Sequence, residues 1–249
     1  MTINKQPELF IGWDVGGWNC DKNPNSRDAI VIIDRQKHLV GKPWRGNLRE
    51  VINNTDNARD FILALQSCCS DDNTKTNLSA MLAIDTPLGF SRPFINLLTT
   101  GVTADCVGAS TANPYLHRQT EFFLFKNGLS PLSPVKDMIG SQATKGLHVL
   151  NRYGLQRTSC GVWEDRHNLT AIEAYPSACK DSRLMKEMVT DILEQQIKEN
   201  FPHQDHCDAL ICALTGWLYF FSPEKLIQPT VDLDPIEGWI FAPADGIVK

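Results

Sequence analysis

A chain of 249 residues has room for one large domain or for a domain carrying a sizeable insertion. Hydrophobic residues make up 42% and charged residues 21%, an ordinary globular balance, and no apolar run is long enough to span a bilayer. The net charge of -5 argues against a strong non-specific binder of nucleic acid. The charge is uneven: from Arg118 to Arg166 seven Lys/Arg face four Asp/Glu, a segment at +3 that leaves -8 for the remainder. Such a segment suits either an ordinary solvated surface or a face for an anionic substrate. The eight cysteines form no CxxC pair, a spacing that argues against a zinc cluster, and in a reducing compartment they read most simply as buried small apolar residues. The N-terminal MTINKQPELF lacks the apolar core of a signal peptide, so a cytoplasmic location is expected.

In chain order, the apolar run Leu9 to Trp13 has the length and type of a buried strand and leads into Asp14, Val15, Gly16 and Gly17. Asp is disfavoured inside strands because its carboxylate is costly to desolvate, so Asp14 needs a partner or starts a plain turn. The two glycines let the backbone turn or approach a ligand, phosphate included. Asp28 to Asp34 reads as a second strand and His38 to Trp44 as a third, ended by Pro43, in an antiparallel meander. Ala58, Phe61, Ile62 and Leu65 have helical spacing within 56–68. A polar loop over 70–77 precedes a buried strand over 78–84, which ends at Asp85 and turns out through Pro87 and Gly89. A strand reached through a helix is usually parallel to an earlier one. Laid beside the first strand, it would bring Asp14 and Asp85 together at the carboxyl ends, where open α/β sheets bind ligands.

Residues 90–165 are proline-interrupted and irregular apart from a helix expected over 140–153, and read as an insertion or lid. Leu169 to Tyr175 is the next strand and carries Glu173. Met185, Met188, Val189, Ile192, Leu193 and Ile197 form the apolar stripe of a helix over 185–201. The stretch HQDHCD (203–208) precedes a buried helix over 209–221, with Asp205 and Asp208 one turn apart at its start. IEGWIFA (236–242) suits a final edge strand or a packed tail.

Asp14, Asp85, Glu173, Asp205 and Asp208 form the candidate constellation. Clustered buried carboxylates repel, and a hard divalent cation such as Mg²⁺ or Mn²⁺ relieves that repulsion through oxygen coordination. Two such ions could clamp a phosphodiester during in-line displacement. Each acid also has a plain reading. Asp205 or Asp208 could cap a helix, Glu173 could pair with a buried Arg, and Asp85 could begin a turn.

An acid on the first strand, an acid ending the fourth and a DxxD opening a late helix resemble the layout of the RNase H-like superfamily, especially RuvC-type resolvases. More closely, IGWDVGG (11–17), AIDTPLGF (83–90), HRQTE (117–121), EAYP (173–176), DHCDALICAL (205–214) and EGWIFAP (237–243) resemble family 429 of the domains of unknown function, described as predicted RNase H-like nucleases. The resemblance runs from residue 11 to 243. It implies a single α/β domain over 1–249, with a mixed five-stranded sheet, flanking helices and the long insertion between the fourth and fifth strands. It further implies a metal-dependent nuclease in which Asp14, Asp85, Asp205 and Asp208 hold Mg²⁺ or Mn²⁺, and Asp14, Asp85, Glu173 and Asp208 serve catalysis. Gly16, Gly17 and Arg118 would face the substrate, with Arg118 either a fork donor to phosphate or paired with Glu121 at helical spacing. The long insertion and acidic net charge depart from well-known RNase H-like nucleases and favour a small or structured nucleic acid over a long duplex.

Three other readings stand beside this one. The first is a non-catalytic metal- or nucleic-acid-binding protein of the same fold. The second is an ATP-dependent phosphotransferase of the actin and sugar-kinase type, which would need a second Asp-Gly phosphate loop. Only Ala244-Asp245-Gly246 approaches one. The third is a transition-metal site at His203, His206, Cys207 and the two aspartates Asp205 and Asp208, although neighbours on one helix cannot all face one ion.

Overall fold

A computed structural model describes residues 6–23, 25–69, 79–195, 201–230 and 233–247. Alternation along the central strands sets the architecture. In β1 (Leu9–Asp14), Leu9, Ile11 and Trp13 turn to one face of the sheet, while Phe10 turns to the other. β2 (Asp28–Asp34) does the same, with Ile30 and Ile32 on the first face and Ala29, Val31 and Ile33 on the second. The strands are apolar on both sides because helices cover both sides.

The first face is covered by α1 (Arg49–Asn53), α2 (Ala58–Cys68) and α5 (Gly140–Arg152). In α2 the spacing read from sequence holds: Ala58, Phe61, Ile62 and Leu65 are all buried, and Asn57 caps the helix by accepting from the Asp60 N–H at 3.0 Å. The second face is covered by α6 (Arg183–Gln195) and α7 (Gln204–Phe221), with Met185, Met188 and Ile192 of α6 buried. α7 begins at Gln204, five residues before the expected start. The His203 side chain caps it by accepting from the Asp205 N–H, so neither aspartate is the cap.

The sheet is mixed. Its order is β3 (Trp44–Gly46), β2, β1, β4 (Ala80–Asp85), β7 (Leu169–Ala174), β6 (Val162–Glu164) and β5 (Gln156–Ser159), and β8 (Ile240–Phe241) also pairs with β7. β1, β4 and β7 run parallel side by side, and β2 and β6 flank them antiparallel. The protein is thus mixed α/β. The sheet has eight strands among the described residues where five were expected. The additional strands are the β5–β6 hairpin, which ends the stretch read as an insertion, and β8, which pairs with the end of β7 inside the stretch 236–242 read as a final edge strand or packed tail. β5 was invisible because all four of its residues are exposed and polar. The third strand also lies later than its expected position over 38–44. Lys37 and Gly41 adopt positive φ and make that stretch a turn, with only Leu39 bridging to Ile33.

The rest of 90–165 holds α3 (Arg92–Thr100), α4 (Gln119–Lys126) and α5. The loop expected over 70–77, Leu78 of the fourth strand, and residues 196–200 of the sixth helix with their Ile197 lie outside the described residues. No described helix is long and apolar enough to cross a membrane.

Candidate functional site

β1 and β4 end together. Asp14 and Asp85 are register partners at the last position of two adjacent parallel strands, which puts their backbones about 4.8 Å apart. Alternation turns both side chains toward α7, because Trp13 and Ile84 before them face the opposite core. The same lateral row contains Ala29 of β2, partner of Asp14, and Arg45 of β3, partner of Ala29. α7 starts over this row. It can lie close because Gly12 has no side chain: a Cβ there would fall on the backbone carbonyl of Ala209. Gly12 was not singled out in the sequence, since nothing local marks a glycine over which a helix will pack.

No described side chain or backbone group donates to the carboxylates of Asp14 or Asp85. Burial first, and then the charges of Asp85, Asp205 and Asp208, push Asp14 up to about 9. Burial first, and then Asp208 and Glu173, push Asp85 up to about 8. Asp205 accepts from Arg45 Nε at 2.7 Å and meets His203 Nδ1 at 2.9 Å. Asp208 accepts from Gln204 Nε2 at 2.9 Å through one oxygen, and its carboxyl is also raised by burial. Both α7 acids are near enough to raise Asp14, but each already has a partner.

Glu173 belongs to a different arrangement. Its register partner on β4 is Ile84, so it points to the first face, away from the Asp14–Asp85 row. The position level with Asp85 falls on Ala174. Arg118 grips Glu173 with both terminal nitrogens, Nη1 to Oε2 at 2.8 Å and Nη2 to Oε1 at 2.6 Å. Arg118 Nε also donates to Glu121 Oε1 at 2.8 Å, Arg118 Nη1 donates to the Glu237 carbonyl at 3.0 Å, and the Leu88 N–H donates to Glu173 at 2.9 Å. Burial opposes the charge on Arg118, but the two glutamates beside it hold its pKa above the ordinary value. Of its two readings from sequence, pairing with Glu121 is therefore the geometry present, with Glu173 as a further partner. Arg118 is 1% exposed, and its fork is occupied within the protein.

The Gly16–Gly17 turn is also filled from inside. The Gly16 N–H donates to Asp28 Oδ1 at 2.9 Å, and Lys145 Nζ donates to the Gly16 and Gly17 carbonyls at 3.2 and 3.5 Å. Lys145 pairs with Asp28, both fully buried, while Trp13 Nε1 and the Leu48 N–H complete the Asp28 carboxylate at 3.0 and 2.8 Å. Sequence reading missed this pair. Asp28 opens an apolar strand as Asp14 closes one, but Lys145 sits on a helix 117 residues away, and a lysine at that spacing looks like an exposed position.

A pocket of about 220 Å³ opens beside the aspartates. It is lined by Asp14, Val15, Asp85 and Thr86 at the ends of β1 and β4, by Glu173 and Ala174 of β7, and by Pro131, Leu132, Ile139 and Gln142 of the 90–165 segment. Asp14 and Asp85 are hard oxygen donors without a counter-cation, a chemistry that fits Mg²⁺ or Mn²⁺. No group of three or more His, Cys, Asp or Glu among the described residues converges to enclose an ion, and this includes HQDHCD.

Comparison with protein-family models, with curated proteins and with solved structures finds no match to this chain. What the fold and the site define is a mixed α/β protein with two unneutralised aspartates in register at the carboxyl end of its parallel strands.

Proposed function

We propose that this protein is a metal-dependent phosphodiesterase acting on nucleic acid, of RNase H-like fold, with Asp14 and Asp85 as the central ligands of Mg²⁺ or Mn²⁺. The observation that carries the reading is the register pair itself. Two carboxylates are forced together by strand pairing and raised by burial, Asp14 further by Asp85 and Asp85 further by Asp208 and Glu173, with no cation supplied by a described residue. An acid on the first strand, an acid ending the fourth and a DxxD on the last long helix are also the pattern of the resemblance noted in the sequence.

When bound, a divalent ion supplies charge neutralisation and Lewis acidity to a phosphodiester oxygen and to water. The chain's own groups orient and shield. Asp208 has one oxygen without a partner and stands over Asp85. Arg45 holds Asp205 at the margin of the row. Arg118 and Glu173 are positioning residues: their ion pair, with the Leu88 N–H, fixes the turn after Asp85. Asp28 and Lys145 fix the turn after Asp14 in the same way.

A second reading, a metal-binding protein of the same fold without turnover, is favoured by one observation: among the described residues no group of three or more His, Cys, Asp or Glu closes around an ion. One experiment separates the two. Mn²⁺ binding is measured by calorimetry on wild type and on Asp14→Asn/Asp85→Asn, beside a cleavage screen of single-stranded, duplex and branched DNA and RNA. Binding and cleavage that are lost together in the double variant support the phosphodiesterase. Binding without cleavage of any substrate supports the second reading. A folded protein that binds no Mn²⁺ overturns both.

A further inference from the structure

The pocket has a composition that the two aspartates do not explain. Beyond the acids its walls are mostly apolar, with Pro87 and Pro131 facing it together with Leu132, Ile139 and Tyr175. No Lys or Arg lines it. A groove that tracks a nucleic-acid backbone needs cations for successive phosphates, so this cavity is not built for backbone. Apolar and aromatic walls suit the faces of a nucleobase.

Two hydrogen-bonding side chains in the pocket are uncommitted. Thr86 is 4% exposed, lines the pocket next to Asp85, and its Oγ1 has no partner among the described residues. Buried hydroxyls are normally satisfied, so this one is free to meet a polar group that enters the pocket. Its position is tightly set, because α5 packs over it at Gly146, where a Cβ would come within 2.6 Å of Thr86 Cγ2. Gln142, a half-buried lining residue of α5, makes no hydrogen bond to a described residue, and its amide carries both donors and an acceptor. Two large apolar residues near the pocket are exposed as well. Leu132, which lines it, is 51% exposed, and Met138, next in sequence to the lining Ile139, is 89% exposed at a φ of 59°. A large apolar residue in the left-handed region on an open surface is strained without a structural return. Exposed apolar side chains of this kind are the type that wedges between stacked bases.

We propose that the pocket receives the base of a single unpaired nucleotide, walled by Pro131, Leu132, Ile139 and Tyr175 and read by Thr86 and Gln142, with its phosphodiester over Asp14 and Asp85. This rests on the phosphodiesterase reading and narrows it: the substrate is a bulge, a mismatch or a strand end rather than an intact duplex. Unpaired bases cost least to take out of the stack.

The test uses the full chain with Mn²⁺ and three probes carrying 2-aminopurine at one position: a perfect duplex, the same duplex with that base bulged, and the free 2-aminopurine nucleotide. Binding is followed by the change in 2-aminopurine fluorescence. The bulged probe is expected to bind at least about tenfold more tightly than the perfect duplex, with a fluorescence change confined to it. Ile139→Trp, which fills the slot, and Gln142→Ala are expected to remove most of that preference, while Mn²⁺ affinity measured by calorimetry stays within about twofold. Free nucleotide binding as tightly as the bulge supports the slot and identifies a free nucleotide as its occupant. Equal binding of bulge and duplex, or a preference that survives Ile139→Trp with Mn²⁺ still bound, overturns the slot and leaves the phosphodiesterase standing. Loss of Mn²⁺ binding in wild type overturns the site reading and this inference together.

Discussion

Asp85 and Glu173 lie on adjacent parallel strands yet face opposite sides of the sheet, because the register partner of Glu173 is Ile84 and not Asp85. A shift of one residue moves a side chain to the other face. Asp14 and Asp85 therefore form the row, and Glu173 is left to Arg118.

This offset predicts that the two acids respond differently to neutralisation. Asp85→Asn is expected to abolish Mn²⁺ binding. Glu173→Gln is expected to leave Mn²⁺ affinity within about threefold while lowering stability by roughly 3–5 kcal/mol, because a buried Arg118 loses a charged partner. Calorimetry and urea denaturation of the two variants check it, and loss of Mn²⁺ binding by Glu173→Gln would show Glu173 to be a ligand.

The raised carboxyls predict an inverted pH dependence of the metal-free fold. Asp14 and Asp85 have ordinary values of 3.8 when unfolded and about 9 and about 8 when folded. Between these limits the folded state binds more protons, so stability is highest toward the unfolded pKa and falls as pH rises through 8 to 9. Thermal melts in chelator are expected to drop steadily from mildly acidic to alkaline pH. Asp14→Asn should flatten the drop and stabilise the alkaline form by about 1 kcal/mol, kept small because neighbouring carboxyls share protons. Saturating Mn²⁺ should reverse the slope. Metal-free melts that do not change with pH would remove the electrostatic basis of the site.

Arg118 predicts a purely structural cost. Arg118→Ala leaves Glu121 and Glu173 buried beside each other without a cation, at a cost of about 3–5 kcal/mol. Arg118→Lys should recover only part of this, because one ammonium cannot reproduce the fork to both carboxylates. Denaturation midpoints of the two variants measure the difference.

Lys145 and Asp28 predict coupling. Lys145→Met alone is expected to destabilise by about 3–5 kcal/mol, and adding Asp28→Asn to restore a measurable part of it, since the second change removes the orphaned charge. A double-mutant cycle by urea denaturation reads the interaction directly, and strict additivity would contradict the pairing.

Gly12→Ala tests how closely α7 sits on β1. The new methyl meets the Ala209 carbonyl, so the helix must lift. A loss of about 1–3 kcal/mol is expected. Weaker Mn²⁺ binding should accompany it, because Asp208 moves with the helix. Unchanged stability and affinity would show that the helix start does not depend on that contact.

Much was legible from residue order. The apolar runs ending at Asp14 and Asp85 mark two buried strands by length and composition, and the helical spacing between them marks the crossover that makes the strands parallel. Parallel pairing then carries the two acids to one edge. The stripes of α2 and α6 are periodic enough to identify without tertiary context. Local physics suffices there, because periodicity and chain connectivity act over neighbouring residues.

Tertiary structure alone decided the rest. β5 is exposed throughout and is a strand only because β6 pairs with it. Arg118 had two chemistries open to it until folding placed Glu173, 55 residues on, within 2.6 Å. Lys145 is buried because Asp28, 117 residues before it, sits at the start of β2. Glu173 left the row of acids through a one-residue register that no local pattern encodes. For the three buried charges the deciding term is desolvation, which depends on what the fold brings against them from far along the chain.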